Sequence, residues 1–303
     1  MNCSFCKREA VTRIPYNGTY LCDIHFNKFF QKRVNLEFRK ELEIKGPVKL
    51  GVGLSGGKDS SVALFETKRI FGRRKDVEIV AITVDEGIET YRPKTIAAAK
   101  KLTEKLGIRH VIVQVEDRYA TTMDKISMNG ELAPCSYCGV FRRKLLNDVA
   151  LEEGVDYMVT GLNLDDTAQS IIMNFARGDA SRMGRMGPHF RSKEGLIPRL
   201  QPLRRIPEKE ALLYAILEDI PFSHDTCPYA DRAIRNEFRE SIDLWEERTP
   251  GTKFSIVNLF DKIKDAIPTT DGQQMGKCRI CGAPTSGEIC KSCQFKMELG
   301  IRI

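Results

Sequence analysis

Residues 55–60, with the sequence Ser-Gly-Gly-Lys-Asp-Ser, constrain the fold of this 303-residue chain more than any other stretch. The apolar run 48–54 before them predicts a buried strand, and the residues after them predict a helix. Two glycines allow a sharp turn and a close approach of the backbone to a ligand. The N–H groups of the first helical turn, the serine hydroxyls and Lys58 would face negative charge. The stretch therefore predicts an anion-binding turn, called here the 55–60 loop.

The spacing of the 55–60 loop excludes a Walker A motif. That motif has four residues between its first glycine and its Gly-Lys pair, and Ser or Thr after the lysine. Here Gly57-Lys58 is followed by Asp59, and no glycine stands at the earlier position. The remaining alternative without a ligand is an ordinary strand-to-helix turn.

Strand and helix patterns alternate after residue 47. Strands are predicted at 77–84, 111–115 and 157–160. Helices are predicted at 95–106 and 138–153, and another follows residues 161–166 and runs through residue 175. This alternation predicts an α/β fold with a parallel sheet, whose ligands bind at the carboxyl ends of the strands. Three polar clusters would meet at that edge: the 55–60 loop, Asp85-Glu86 and residues 161–166.

Composition limits the classes of protein to which this chain can belong. A net charge of +7 favours a polyanionic partner. We expect a cytoplasmic protein without a membrane segment, because no apolar run reaches about 18 residues and the first residues carry no signal-peptide core. Ten cysteines in such a chain favour metal sites over disulfides.

Seven of the cysteines and one histidine form two sets with the spacing of zinc ligands. The first set is Cys3, Cys6, Cys22 and His25, and the second is Cys278, Cys281, Cys290 and Cys293. Each set predicts a closed, structural Zn²⁺ site that supplies the folding free energy of its module. Incidental CxxC and CxxH matches are the alternative. We also expect that the loss of either zinc site would leave a metal site on the remaining three cysteines unchanged.

Three cysteines remain: Cys135 and Cys138 at a predicted helix start, and Cys227 in Asp-Thr-Cys-Pro. Three thiolates can hold an iron–sulfur cluster and leave one iron open. A redox pair beside an unrelated Cys227, a third zinc site and a persulfide relay without metal are the alternatives.

Residues 177–205 hold seven arginines and one lysine against two acids, with four glycines and three prolines. They predict a flexible basic loop that contacts the phosphates of a nucleic acid, or else a merely solvated loop. Further helices are predicted at 208–218, 231–247 and 254–267. The predicted domains are an N-terminal zinc module (1–27), a linker helix (28–46), an α/β domain that contains the 55–60 loop (47–270) and a C-terminal zinc module (271–303).

Six motifs occur together in a characteristic order. They are the 55–60 loop, PCSYCGVFRR at 134–143, GLNLDDTAQ at 161–169, DTCPYA at 225–230 and the two terminal zinc patterns. Together they resemble the tRNA 2-thiolation enzymes of the TtuA/NcsA type, relatives of TtcA in the PP-loop ATP pyrophosphatase superfamily. The resemblance covers almost the whole chain. It implies an α/β, parallel-sheet PP-loop (adenine nucleotide alpha hydrolase-like) domain flanked by zinc modules.

The resemblance also implies the reaction and its cofactors. ATP, with Mg²⁺, would adenylate C2–O of a tRNA uridine, at position 34 or 54 in relatives, and sulfur would replace that oxygen. Cys135, Cys138 and Cys227 would hold a [4Fe–4S] cluster whose free iron takes up the sulfur. The sulfur donor would be a ubiquitin-like thiocarboxylate carrier or sulfide. Members of this family are usually homodimers.

Roles of single residues follow from the resemblance by position. The residues implied at the nucleotide are Leu54, Ser55, Gly56, Gly57, Ser60, Asp85, Arg142 and Gly161. The implied catalytic residues are Lys58, Asp59, Asp165 and Asp166. Relatives can carry Lys at position 142, and an arginine there keeps the charge but cannot transfer a proton. Consecutive helical residues point about 100° apart, so one of the two aspartates at 165–166 faces the site, and we favour Asp166.

Two other functions compete with tRNA thiolation. A PP-loop ligase that forms amides or nucleotides would use the 55–60 loop but gives no role to three further cysteines. A zinc-finger RNA-binding protein without catalysis would use the terminal modules and the charge but gives the 55–60 loop no role.

Overall fold

The computed structural model describes residues 1–184, 186–187, 194–232, 235–267 and 276–301. The N-terminal elements are β1 (Thr12–Ile14), β2 (Thr19–Leu21) and α1 (Asp23–Glu41). The next are β3 (Val48–Gly53), α2 (Lys58–Phe71), β4 (Val77–Asp85), α3 (Arg92–Leu106), β5 (Arg109–Gln114), α4 (Val115–Tyr119) and α5 (Met123–Asn129). Then follow α6 (Pro134–Glu152), β6 (Tyr157–Val159), α7 (Leu164–Ala176), α8 (Ala180–Gly184), β7 (Arg199–Leu200) and α9 (Glu208–Leu217). The last are α10 (Arg235–Arg248), α11 (Thr252–Ile263), β8 (Gly276–Lys277), β9 (Pro284–Thr285) and α12 (Lys291–Glu298).

The central sheet is parallel, as predicted. Its order is β5-β4-β3-β6-β7, and every pairing between these strands is parallel. The chain leaves β3 toward β4 on one side and later returns to β6 on the other side of β3. Ligand crevices of open α/β sheets form where the strand order reverses in this way. The reversal places the loops after β3 and β6 next to each other.

The basic segment 177–205 is built into the fold over much of the part that the structure describes. β7 extends the sheet as its edge strand, and Leu200 and Leu203 are fully buried. The Arg204 guanidinium, 3% exposed, donates two hydrogen bonds of 2.8 and 2.6 Å to Asp261. The prediction of one flexible loop is therefore wrong for residues 194–205, because buried leucines lie between the arginines. Residues 185 and 188–193 lie outside the described residues.

The N-terminal module and α1 share the main hydrophobic core. Ile14 and Leu21 of the β1–β2 hairpin belong to it, and the ring of Phe30 on α1 stacks on Tyr214 at 4.0 Å. The helix predicted as a linker is therefore also a core element. None of the helices within the described ranges combines the length and the apolar character that a bilayer-spanning segment requires.

The C-terminal module packs on α6, the helix that carries Cys135 and Cys138. Phe295 of α12 is buried, and its ring lies 4.6 Å from that of Tyr137 and 6.3 Å from that of Phe141. The Tyr137 hydroxyl also donates a hydrogen bond to Glu298. Tyr137 lies between the two cysteines in the sequence, so the C-terminal module supports the turn that carries them. This packing argues against the expectation that the C-terminal zinc site is independent of these cysteines.

Candidate functional site

The 55–60 loop joins β3 to α2 in a tightly fixed conformation. Gly56 has φ of +86°, and a Cβ there would lie 1.9 Å from the carbonyl oxygen of Thr95. The hydroxyls of Ser55 and Ser60 are hydrogen-bonded to each other at 3.0 Å. The backbone N–H of Ser55 donates a second hydrogen bond to Ser60 Oγ at 3.1 Å. The loop therefore directs the start of α2, with its N–H groups and the positive end of its dipole, toward the sheet edge.

Gly161 brings the loop after β6 into contact with the loop after β3. A Cβ at this position would lie 2.7 Å from the backbone nitrogen of Ser60 and 2.7 Å from the carbonyl carbon of Asp59. Only a glycine allows this approach. Two of the three polar clusters predicted from the sequence therefore touch through their backbones.

Lys58 and Asp59 form a charged pair at the first turn of α2. Lys58 Nζ donates to Asp59 Oδ2 at 2.9 Å and to Glu208 Oε1 at 2.6 Å. Burial opposes the charge on Lys58, but the two carboxylates outweigh it and raise its pKa. Asp59 Oδ1 is buried and has no hydrogen-bond partner among the described residues, and burial raises the pKa of Asp59. An unpartnered carboxylate oxygen beside a phosphate-type turn suits a hard cation such as Mg²⁺.

A buried arginine connects the 55–60 loop to the end of β4. Arg92, 2% exposed, donates to the carbonyl oxygens of Ser55 at 2.9 Å and Val84 at 2.7 Å. Its Nε lies 2.8 Å from Glu86 Oε2, and the Arg142 guanidinium lies 3.6 Å from the other oxygen of Glu86. Glu86 therefore positions Arg142 at this edge.

The two aspartates at the start of α7 have different surroundings. Asp165 is buried, pairs with Lys253 and accepts a 2.8 Å hydrogen bond from the N–H of Glu208. Asp166 closes the capping box of α7 with Asn163 and lies 3.4 Å from Arg235. Burial raises the pKa of Asp166, and the charge of Asp166 in turn raises that of Asp59. Asp166 therefore acts electrostatically on Asp59, while Asp165 is connected to Lys58 through Glu208.

The three remaining cysteines converge beside the 55–60 loop. Cys135 and Cys138 lie in the first turn of α6, which begins at Pro134, earlier than predicted. The segment that carries Cys227 pairs with the loop, since the N–H of Ser223 donates to the Gly56 carbonyl at 2.8 Å. Cys135 Sγ lies 3.5 Å from the carbonyl oxygen of Tyr229.

The spacing of these sulfurs differs from that of a single-zinc site. One tetrahedral zinc, about 2.3 Å from each sulfur, holds its ligand atoms within about 4 Å of one another. Among the described residues, the three cysteines do not form a group with all ligand atoms within 4.8 Å. Burial, opposed by Arg142, raises the pKa of the Cys138 thiol to about 12, so its thiolate needs additional positive charge. Ligands to separate irons of one cluster fit this arrangement.

Both terminal sets of zinc ligands are assembled. The ligand atoms lie within 4.8 Å of one another in the set Cys3, Cys6, Cys22, His25 and in the set Cys278, Cys281, Cys290, Cys293. His25 Nδ1 is 3.4 Å from the sulfur of Cys3, and the sulfurs of Cys281 and Cys290 are 3.6 Å apart. Tetrahedral Cys₃His and Cys₄ sites for structural zinc fit these groups.

Comparison with known families agrees with this geometry. The chain matches the PP-loop domain over residues 26–244 and the N-terminal LIM domain of the 2-thiouridine synthetase TtuA over residues 2–27. The chain belongs to the TtuA/NcsA family of PP-loop proteins. The fold class predicted from the sequence is thereby confirmed.

Relatives of the TtuA/NcsA family match the chain from end to end. It is 38% identical to the tRNA 2-thiolation protein NcsA of Haloferax volcanii, covering 97% of this chain and 98% of that one. It is 30% identical to the tRNA-5-methyluridine(54) 2-sulfurtransferase of Pyrococcus horikoshii, covering 100% and 97%. The solved structure of the U34-tRNA thiolase NcsA from Methanococcus maripaludis, with its [4Fe–4S] cluster, is 35% identical, covers 100% of this chain and 98% of that one, and superposes with a TM-score of 0.87.

The structure gathers most of the site residues that the TtuA/NcsA resemblance implied. Asp85 lies at the end of β4, where its carboxylate accepts a hydrogen bond from Gly87, and Leu54 is a core residue whose backbone alone borders the site. Sequence reasoning missed the roles of Arg92 and Glu208. Neither belongs to a motif, and only long-range packing places them against the 55–60 loop.

Proposed function

We propose that the chain is an ATP-dependent tRNA uridine 2-sulfurtransferase. The observation that carries this proposal is the pairing of Ser223 with the 55–60 loop, which brings the Cys227 segment beside a nucleotide-type turn, while Cys135 on α6 contacts Tyr229 of the same segment. The names of the Haloferax and Pyrococcus relatives and the Methanococcus structure support the same reaction. A ligase or a non-catalytic RNA-binding protein would leave this juxtaposition without a role.

The 55–60 loop would bind the phosphates of ATP. The N–H groups at the start of α2, the hydroxyls of Ser55 and Ser60 and the ammonium of Lys58 supply donors and positive charge. When the uridine C2 oxygen attacks the α-phosphorus, the bond to the β-phosphate breaks and pyrophosphate leaves. Lys58, and Mg²⁺ on the free oxygen of Asp59, would stabilise the negative charge that moves to this leaving group.

Adenylation makes the C2 oxygen part of AMP, which is a much better leaving group than a uridine carbonyl oxygen. Attack of a sulfur nucleophile on C2 then expels AMP. Asp166, whose charge acts on Asp59, would accept the uridine N3 proton or orient the base. Water must be excluded at this stage, because its attack on C2 would only restore uridine.

Cys135, Cys138 and Cys227 would hold a [4Fe–4S] cluster. A cluster with three protein ligands supplies one open iron at which sulfur can bind. Arg142, held by Glu86 and close to Cys138, would offset negative charge at this position and face the nucleotide. The sulfur donor, a homodimeric assembly and a cytoplasmic location stay predictions from the sequence.

The substitution Lys58→Ala tests the function directly. We expect the protein to fold normally but to lose ATP-dependent formation of 2-thiouridine in tRNA, by roughly 100-fold or more. The measurement is mass spectrometry of digested tRNA, together with the ratio of AMP to ADP released. The matched control is Lys75→Ala, at an exposed position in the turn after α2. Full thiolation by Lys58→Ala, with a normal melting curve, would contradict the role of the loop.

A further inference from the structure

A groove with two arginines in its walls lies beside α6. It has a volume of about 590 Å³ and lies between α6, the segment 195–199 and the C-terminal zinc module. We call it the arginine groove. The residues that define it are Arg143, Lys144, Gly195, Arg199, Pro284 and Lys291.

The walls of the arginine groove are fixed to each other. Asn147 of α6 donates to the Gly195 carbonyl at 3.0 Å and accepts from the N–H of Ile197 at 3.0 Å. Gly195, at φ of +77°, packs so closely on the zinc module that a Cβ there would lie 2.8 Å from Pro284. The groove is therefore a built feature of three elements and not a gap at a loose surface.

Two arginines in the groove have no acidic partner. The side chains of Arg143 and Arg199 make no hydrogen bond or ion pair with other residues in the part of the chain that the structure describes. Lys144, in contrast, pairs with Asp148, and Arg204 on the same basic segment pairs with Asp261. Burial lowers the pKa of Arg199. Because guanidinium groups stay charged at neutral pH, the groove keeps positive charge that nothing in these walls neutralises.

The arginine groove begins one helix position away from Arg142 of the candidate site. The Arg143 guanidinium folds back onto Gly139, where a Cβ would lie 3.2 Å from Nη1 of Arg143. Gly139 directly follows Cys138. On the helix, Arg142 points toward Glu86 while its neighbour Arg143 points about 100° away, into the groove. An RNA strand that follows the surface of α6 past Arg142 would meet Arg143 next.

We propose that the arginine groove binds the phosphodiester backbone of the tRNA substrate, with Arg143 and Arg199 as its phosphate ligands. This inference rests on the proposed function. Guanidinium groups bind phosphate oxygens through two parallel hydrogen bonds, and such contacts orient RNA without reading its sequence. The 55–60 loop already offers the features that a nucleotide needs, so a second anion site beside α6 suits the substrate's backbone.

The test compares tRNA binding by Arg143→Gln and Arg199→Gln with that of the wild type. Each variant should weaken tRNA binding by roughly three- to tenfold and reduce the slope of log K against log salt by about one. ATP affinity and iron content should not change. Arg73→Gln, at an exposed arginine in the turn after α2, is the matched control and should bind tRNA as the wild type does.

The outcomes separate this inference from the proposed function. If the wild type binds tRNA and both groove variants keep its affinity and salt slope, the groove is not a backbone site. Loss of ATP binding with unchanged tRNA binding would assign the groove to a nucleotide and overturn the inference. A wild-type protein that binds no tRNA would overturn the proposed function as well. Arg143 is exposed, so Arg143→Gln decides the matter even if Arg199→Gln fails to fold.

Discussion

At the scale of single residues, Gly161 tests whether the loops after β3 and β6 form one site. A methyl group there would lie 2.7 Å from the backbone of Asp59 and Ser60, so Gly161→Ala must displace the 55–60 loop. We expect ATP affinity to fall by roughly fivefold or more, because overpacking of this kind costs about 1–3 kcal/mol. Isothermal titration calorimetry with ATP measures the effect. Gly46→Ala, with open space around its Cβ, is the control, and equal ATP affinity in both variants would refute the contact.

The buried residue Glu41 should make the stability of the protein depend on pH. It is buried at the end of α1 and accepts a hydrogen bond from the N–H of Gln201. Burial raises the pKa of Glu41 from 4.5 to about 7, against the opposing effect of that hydrogen bond. Between these values the folded protein binds more protons than the unfolded chain. The part of the free energy of unfolding that depends on Glu41 is therefore highest below pH 4.5. It falls as the pH rises to about 7.

Glu41→Gln should remove this loss, because the amide stays neutral and can still accept the hydrogen bond. Relative to the wild type, the variant should gain roughly 2–3 kcal/mol in free energy of unfolding between pH 4.5 and pH 7.5. Urea unfolding at several pH values measures the difference. Glu43→Gln, at an exposed carboxylate nearby, should follow the wild type. Parallel curves for Glu41→Gln and the wild type would show that Glu41 titrates normally.

At the scale of elements, the C-terminal module supports the helix that carries two cysteines. Phe295→Ala would remove the ring that packs on Tyr137 and Phe141, at a cost of about 3–5 kcal/mol to this contact. We expect the first turn of α6 to loosen and iron uptake during anaerobic reconstitution to fall. Iron content and absorbance near 400 nm measure this. By the same argument, and contrary to the expectation from the sequence, Cys281→Ser should lower iron uptake.

The matched control is Met297→Ala on the same helix, since Met297 is 53% exposed. It should take up iron as the wild type does. An unchanged iron content in Phe295→Ala, with the module still folded, would restore the earlier expectation that the C-terminal zinc site is independent of the cysteines.

The sequence predicted the elements of the site better than their tertiary contacts. The parallel sheet, the turn before α2 and the zinc spacings follow from local patterns, and the structure confirms them. Strand β7 was missed because only two residues form it, within a segment whose arginines indicated a loop. Arg92 and Phe295 were missed because their importance comes from contacts with residues far away in the sequence.

At the scale of the whole molecule, distant segments meet at one edge of the sheet. Cys227 follows Cys138 by 89 residues, yet its segment pairs with the 55–60 loop and lies beside α6. Cys227 has no neighbouring cysteine within its own motif. Its role therefore depends on the assembly of the whole domain, and it is the most demanding test of the proposed function.

The decisive measurement is ATP-dependent 2-thiouridine formation in tRNA by the anaerobically reconstituted protein, wild type beside Cys227→Ala, with iron content determined on the same samples. The wild type should take up about four irons at the three-cysteine site, release AMP and pyrophosphate and form the thionucleoside. Cys227→Ala should lose both the cluster absorbance and thiolation, while its ATP affinity stays unchanged because the 55–60 loop is intact. A Cys227→Ala protein with a full iron load and full thiolation would contradict the account.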